Sequence, residues 1–227
     1  IAKFKDAYAD LPMPRQAYAR VISSVDDLIG RVLHKLEETG LRDNTIVIMM
    51  SDNGHSTEDN AGITVEKHAS GYPRGYYDLA HGGGGNTGKW IGHKGTFLEG
   101  GIRVPAMISY PAKLPQGQTR DQIVTIMDWF PTVLELCGIK RESAPKLDGR
   151  SMTGVIADPK AASAHEVLHF GWAKGWAVRR GDWKLIGMPV KETGGVSCSL
   201  YNLADAKPEV KDHAEEHPEI VKELTAL

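Results

Sequence analysis

The stretch "LRDNTIVIMMSDNGHS", residues 41–56, decides how this chain is read. Its middle, Thr45 to Met50, is continuously apolar and β-branched at its start. A strand covered on both faces reads this way, which predicts a parallel sheet flanked by helices. Upstream, Val21, Ile22, Val25, Leu28, Ile29, Val32, Leu33 and Leu36 recur at helical spacing and predict a long helix over residues 14–39. Pro14 suits its first turn and Gly40 the position just past its end. Helix, short link and strand form half of an α/β repeat. Where the strand stops, an acid, an amide and an imidazole follow within four residues: Asp52, Asn53 and His55.

Working outward, residues 51–101 are glycine-rich, contain "HGGGGNTG", and show little periodicity. A loop of that length inside a compact domain is expected to be functional or mobile. "VPAMISYP" resumes a strand. "QIVTIMDWFPTVLELCGI" leads into a helix with Asp128 as N-cap and Gly138 as its stop. The polar, Pro/Ala-rich segment 143–166 reads as a linker. Beyond it the pattern turns antiparallel. "GWAVRRGDWKLIG" gives two strands around a Gly181-Asp182 turn, "SLYNL" a third, and "HPEIVKELTAL" a closing helix. The expected organisation is an α/β portion over residues 1–142, the linker, and a small α+β subdomain with antiparallel strands over 167–227.

Bulk properties set outer bounds. Among 227 residues the charge sum is −2 with both signs dispersed, so the basic face of a nucleic-acid binder is missing. No apolar run approaches the roughly 18 residues of a membrane-spanning helix. Cys137 and Cys198 sit in no C-x-x-C pair and are expected as free, buried thiols.

The chemistry gathers in two clusters. A carboxylate and an amide oxygen at a strand's carboxyl end, Asp52 and Asn53, are hard donors suited to Ca²⁺ or Mg²⁺. Two ligands are too few for either ion, and "DNG" is also an ordinary turn. The second cluster is "GKWIGHKGTFLEGGIRVP", residues 88–105. Lys94, between Gly92-His93 and Gly95, can approach an anion closely, as a sulfate or phosphate ester requires. His55 is a candidate donor to a substrate oxygen; His93 is another, or a packing residue; His81 is placed to order the glycine run. Trp90, Tyr76 and Tyr77 are candidates for stacking on a sugar ring. His34, His165, His169, His213 and His217 receive no functional reading.

The order and spacing of these pieces resemble the C-terminal half of the sulfatase family, within the alkaline phosphatase superfamily. The resemblance rests on "LRDNTIVIMMSDNGHS" followed by "GHKGTFLEGGIRVPAMISYPAKLP". It is supported by "VDDLIGRVLHKLEETGLRDNT", "DWFPTVLELCGI", "LDGRSM" and "AVRRGDWKLI…SLYNLADAKPEV". It implies an α/β fold that is part of an alkaline-phosphatase-like sandwich. It also implies that Asp52 and Asn53 ligate one calcium ion touching the sulfate, that Lys94 binds a sulfate oxygen, and that His55 lies near the substrate. Glu99 and Arg103 are expected to shape the Lys94 loop as a buried pair or backbone clamp, the alternative being that they reach the substrate. The substrate class implied is a sulfated carbohydrate or aryl sulfate, and the location implied by family habit is periplasmic or secreted.

One departure matters. The family's formylglycine nucleophile arises in a Cys/Ser-x-Pro-Ser-Arg motif. Cys137, Cys198 and Ser143, which begins "SAPKL", do not match it. The nucleophile and remaining calcium ligands are therefore expected upstream of Ile1, and the chain alone is expected to be inactive. The alternatives are a phosphoesterase or phosphonate hydrolase of the same superfamily, and a non-catalytic carbohydrate-binding or interaction module. An incomplete sheet also predicts self-association through an exposed edge.

Overall fold

A computed structural model describes residues 2–4, 6–11, 15–55, 87–140 and 145–227. Pro14, Tyr76, Tyr77, His81, most of "HGGGGNTG" and Ser143 lie outside the described residues. Helix α1 runs Arg15–Glu38. It ends where the Leu41 amide donates to the Leu36 carbonyl at 2.9 Å and Gly40 adopts φ +68°, the Schellman pattern. Its apolar stripe was expected to face a core. Val21, Ile22, Val25, Leu28 and Val32 are instead 44–60% exposed, because α1 packs mainly against the short turns at 2–4 and 42–44.

Strand β1 (Val47–Met50) leads to the strand-tip turn, and a one-turn helix α2 (Glu99–Ile102) precedes β2 (Ala106–Ser109). The expected parallel sheet is not what β1 forms among the described residues. It pairs antiparallel with β2, Val47 opposite Ser109 and Met50 opposite Ala106. The facing Met49 and Met107 are both exposed. A continuous apolar run reports that two faces want covering; it carries no information on the direction of the neighbouring strand.

After β2, a 3₁₀ turn (Ile126–Asp128) opens into α3 (Trp129–Leu136), which stops at Gly138 with φ +69°. Asp128 precedes α3 as expected, yet its carboxylate makes no cap bond to that helix. It is buried and accepts the Thr125 amide at 2.6 Å and the Arg150 amide at 2.8 Å, with His165 Nε2 at 2.8 Å. These bonds tie the 145–166 segment, which holds α4 (Thr153–Ala157), back onto residues 120–136. Arg120 adds bonds to the Val155 and Ile156 carbonyls at 2.8 Å each.

Four antiparallel strands follow in chain order: β3 (Val167–Trp172), β4 (Gly175–Arg180), β5 (Trp183–Pro189) and β6 (Val196–Asn202). Gly181, at φ +58°, makes the tight β4–β5 turn. Period-2 alternation gives this sheet two buried faces. Val178, Leu185 and Leu200 meet Leu224 of α5 (Pro218–Thr225) on one face. Ala177 and Ile186 meet Phe97 on the other. Each fully buried side chain of this size stabilises the fold by about 1.5–3 kcal/mol. The face under Phe97 positions the site, because Phe97 lies three residues from Lys94. Both cysteines are free, but Cys137 is exposed rather than buried. Cys198 is partly buried, and burial together with Asp212 pushes its thiol up, as suits a packing residue.

Candidate functional site

Beyond the β1–β2 ladder, the two polar clusters continue to pair. The Ser51 amide donates to the Pro105 carbonyl at 3.2 Å, Gly54 to Gly101 at 2.9 Å, and Lys94 to His55 at 2.9 Å. Glycine permits this approach. A Cβ on Gly54 would lie 1.8 Å from the Gly100 oxygen, and one on Gly101 would lie 2.4 Å from the His93 oxygen. Gly92 and Gly95 hold φ +96° and +86°, conformations that side chains resist, and so turn the chain tightly around Lys94.

The backbone therefore brings the segment of Asp52, Asn53 and His55 against that of His93 and Lys94. Asp52 is exposed at the strand tip. Asn53 donates through Nδ2 to the Gly54 carbonyl at 2.7 Å, which leaves Oδ1 as the acceptor end of its amide. The His55 and His93 rings stand edge to face with centroids 6.4 Å apart. His93 Nδ1 lies 2.8 Å from the Lys94 carbonyl, and its amide and carbonyl both engage the Thr96 hydroxyl. Lys94 is exposed, and its backbone amide donates to the His55 carbonyl.

Behind this loop lies a buried ionic cluster. Glu99, 1% exposed, accepts Arg103 Nε at 2.9 Å, Arg179 at 3.2 Å and Lys184 Nζ at 2.9 Å. Lys184, with no exposed surface, also donates to Glu209 at 2.8 Å, and Glu209 accepts the Glu99 amide at 2.8 Å. Arg179 and Lys184 are cross-strand partners on β4 and β5. Two like charges side by side repel, and the Glu99 carboxylate inserted between them removes the conflict. Burial alone would push the Glu99 carboxyl up; Lys184, Arg103 and Arg179 outweigh it and hold the group below its ordinary value. Glu209 sits at φ +61°, a left-handed conformation held by this network.

The Glu99–Arg103 contact was expected as a buried pair; Glu99 is buried, but the Arg103 side chain is 45% exposed and only its guanidinium reaches inward. The anchors of Glu99 on the distant sheet were missed. A signal existed: in "DWKLI", Lys184 occupies a core-facing position of a strand, where a cation needs a buried partner. Trp90, a candidate for sugar stacking, has the Arg103 guanidinium 4.0 Å and Lys89 Nζ 4.5 Å from its ring. Trp172, in the aromatic stretch "HFGWAKGW" that reads as either cleft lining or subdomain core, is 66% exposed at the end of β3 and so is not core. A Cβ built on Gly95 would touch its ring at 3.9 Å, so an open indole borders the Lys94 turn.

The strand tip that carries Asp52 and Asn53 and the glycine-flanked Lys94 turn are joined by backbone hydrogen bonds on a mixed α/β scaffold. Comparison with known proteins names the family. The sulfatase family profile matches residues 2–139, and that of the N-sulphoglucosamine sulphohydrolase C-terminal domain matches 89–225. An uncharacterized sulfatase of Schizosaccharomyces pombe is 33% identical over 92% of this chain and 41% of its own length. Rat steryl-sulfatase is 32% identical over 67% of this chain and 24% of its own. Among solved structures, Ps i-CgsB in complex with k-i-k-neocarrahexaose superposes with a TM-score of 0.69 at 23% identity, over 99% of this chain and 44% of that one. A protein in complex with its substrate D-glucosamine-2-N,6-O-disulfate gives 0.64 at 22% identity, over 93% and 38%. The chain belongs to the sulfatase family and shares the alkaline-phosphatase-like fold of its structural neighbours. It spans less than half the length of each of these relatives.

Proposed function

We propose that this chain carries the part of a sulfuric-ester hydrolase that grips the sulfate group, with the nucleophile supplied by a formylglycine-bearing segment. The carrying observation is the backbone bond from Lys94 to His55, which holds the Lys94 main chain two residues along from the Asp52–Asn53 tip. Lys94 binds a non-reacting sulfate oxygen, and its positive charge offsets the electron density that gathers as the ester bond breaks. His55 and His93 donate to substrate oxygens or hold Lys94 in place. The donor set fits a hard dication: Asp52 offers an exposed carboxylate, and the bond from Asn53 Nδ2 to Gly54 turns Oδ1 toward the role of ligand. Calcium bound there would supply charge neutralisation and orientation without redox chemistry. The amide in place of a second acid or imidazole favours one calcium over the two-metal arrangement of a phosphoesterase.

The substrate class that fits is a sulfated carbohydrate. Two structural neighbours were solved with carbohydrate ligands, one of them a disulfated glucosamine described as that protein's substrate. The exposed Trp172 indole beside Gly95 is suited to stacking on a sugar ring. The test is turnover of an aryl sulfate and of the matching aryl phosphate by the protein that carries this chain together with its nucleophile. Lys94→Ala is expected to cut sulfate-ester turnover by about 100-fold or more, while the unfolding midpoint stays within error. Equal turnover refutes the assignment. Preference for the phosphate with two bound metals selects the phosphoesterase reading, and binding of sulfated oligosaccharide without turnover selects the non-catalytic one.

A further inference from the structure

The α5 side of the β3–β6 sheet, opposite the face that holds Glu99, carries a second group of chemistry-bearing residues. "HAEEH" places His213, Glu216 and His217 in a single turn just before α5, with the His217 amide bonded to the His213 carbonyl at 3.0 Å. One donor atom from each of the three lies within 4.8 Å of the others. A tetrahedral zinc centre needs donors about 3.4 Å apart, which follows from bond lengths near 2.0–2.1 Å. Closing that gap takes side-chain rotations, with His217 Nδ1 now 3.2 Å from Glu219 Oε1.

Three further features separate this cluster from a chance gathering of polar groups. His213 is buried, and its Nε2 meets Asp205 Oδ2 at 2.8 Å, so its Nδ1 is the nitrogen that faces Glu216, at 3.2 Å. A carboxylate behind one imidazole nitrogen, with the other turned toward the remaining donors, is the outer-shell arrangement that metal-binding histidines use. The His213 amide is also fixed, donating to the Leu200 carbonyl at 2.8 Å. Finally, the Trp183 indole packs against both imidazoles, its ring 5.7 Å from His213 and 5.0 Å from His217, and walls one side of the cluster with apolar surface.

We infer that His213 Nδ1, Glu216 and His217 form a binding site for a zinc-class divalent cation, with Asp205 orienting His213. Two imidazoles and one carboxylate are borderline donors that favour zinc over calcium, and three protein ligands leave a position for water. Lys211 occupies the competing position: its Nζ lies 2.8 Å from Glu216 and is exposed enough to swing away. Bound metal would link the turn after β6 to the start of α5. This role is independent of the strand-tip site.

The test is Zn²⁺ titration of the metal-stripped chain by calorimetry. One Zn²⁺ per chain is expected. Glu216→Gln and His217→Ala, both at solvent-accessible side chains, should each weaken binding about tenfold or more, and Asp205→Asn about 10- to 100-fold. Lys211→Met should tighten it, since the competing ammonium is gone. Circular dichroism confirms that each variant is folded. No binding by the wild-type chain, or affinity unchanged in both Glu216→Gln and His217→Ala, overturns the assignment. Unchanged affinity in Lys211→Met overturns the role given to Glu216.

Discussion

Lys184→Met removes the ammonium that bridges Glu99 and Glu209. Lys184 has no exposed surface, and its Nζ lies 2.9 Å from Glu99 and 2.8 Å from Glu209. Methionine nearly preserves the volume and the unbranched shape, so packing changes little. The two carboxylates fare differently. Glu99 keeps Arg103 and Arg179 on its other oxygen. Glu209 is left, among the described residues, with the Glu99 amide as its polar contact. A buried charge stripped of its partner costs about 3–5 kcal/mol, against a total stability of about 5–15 kcal/mol for a domain. The assay is urea denaturation at neutral pH. With a slope of about 1–3 kcal/mol/M, the midpoint should fall by at least about 1 M. Glu209→Gln in the same background removes the orphaned charge and should restore at least about 1 kcal/mol, a coupling that a double-mutant cycle reads directly. Hydrogen exchange should also quicken at the Lys94 amide, because the loop loses its rear anchor. A Lys184→Met midpoint within about 0.5 kcal/mol of wild type, or no coupling to Glu209, would show that this cluster does not hold the site in place.

Three other outcomes follow from the same contacts. Gly54→Ala forces a methyl against the Gly100 carbonyl and should cost about 1–3 kcal/mol, read as a lower melting temperature with faster exchange at the Gly54 and Lys94 amides; an unchanged protein contradicts the close approach. The Glu99 carboxyl is held below its unfolded value, so its stabilisation is full above the ordinary glutamate range and lost as pH falls through the lowered one. Glu99→Gln should therefore flatten the acid limb of a stability–pH curve, and an identical limb would rule the effect out. The uncovered stripe of α1 and the exposed Met49–Met107 face should drive association of the isolated chain, and a monomer by light scattering at high concentration would count against it.

Local periodicity made some of this molecule readable in advance. The α1 stripe, the β4–β5 hairpin about Gly181, and the α3 stop at Gly138 each depend on residues within a turn or two of one another. The meeting of Asp52, Asn53 and His55 with His93 and Lys94 is a contact across some forty residues, and no local pattern encodes it. It was legible through resemblance, and the glycines at 54, 100 and 101 are its physical cause, visible only once the backbones are seen to touch. Apart from Arg103, the partners of Glu99 lie 80 to 110 residues away, on β4, β5 and the turn after β6. A lone glutamate in "LEGGIRVP" and a lone lysine in "DWKLI" each look like an ordinary charge until they are found facing each other without water. The same blindness explains β1. Its apolar letters record that it wants cover on two faces, and only the three-dimensional arrangement assigns β2 as its antiparallel neighbour. What joins these failures is one physical fact. Apolar burial leaves a periodic trace in the sequence, because every turn or alternate residue must comply. A buried ion pair asks for only one residue at each end, so it leaves no periodic trace, only a charged letter at a core-facing position such as Lys184, although it ties the segment after Lys94 to the distant sheet.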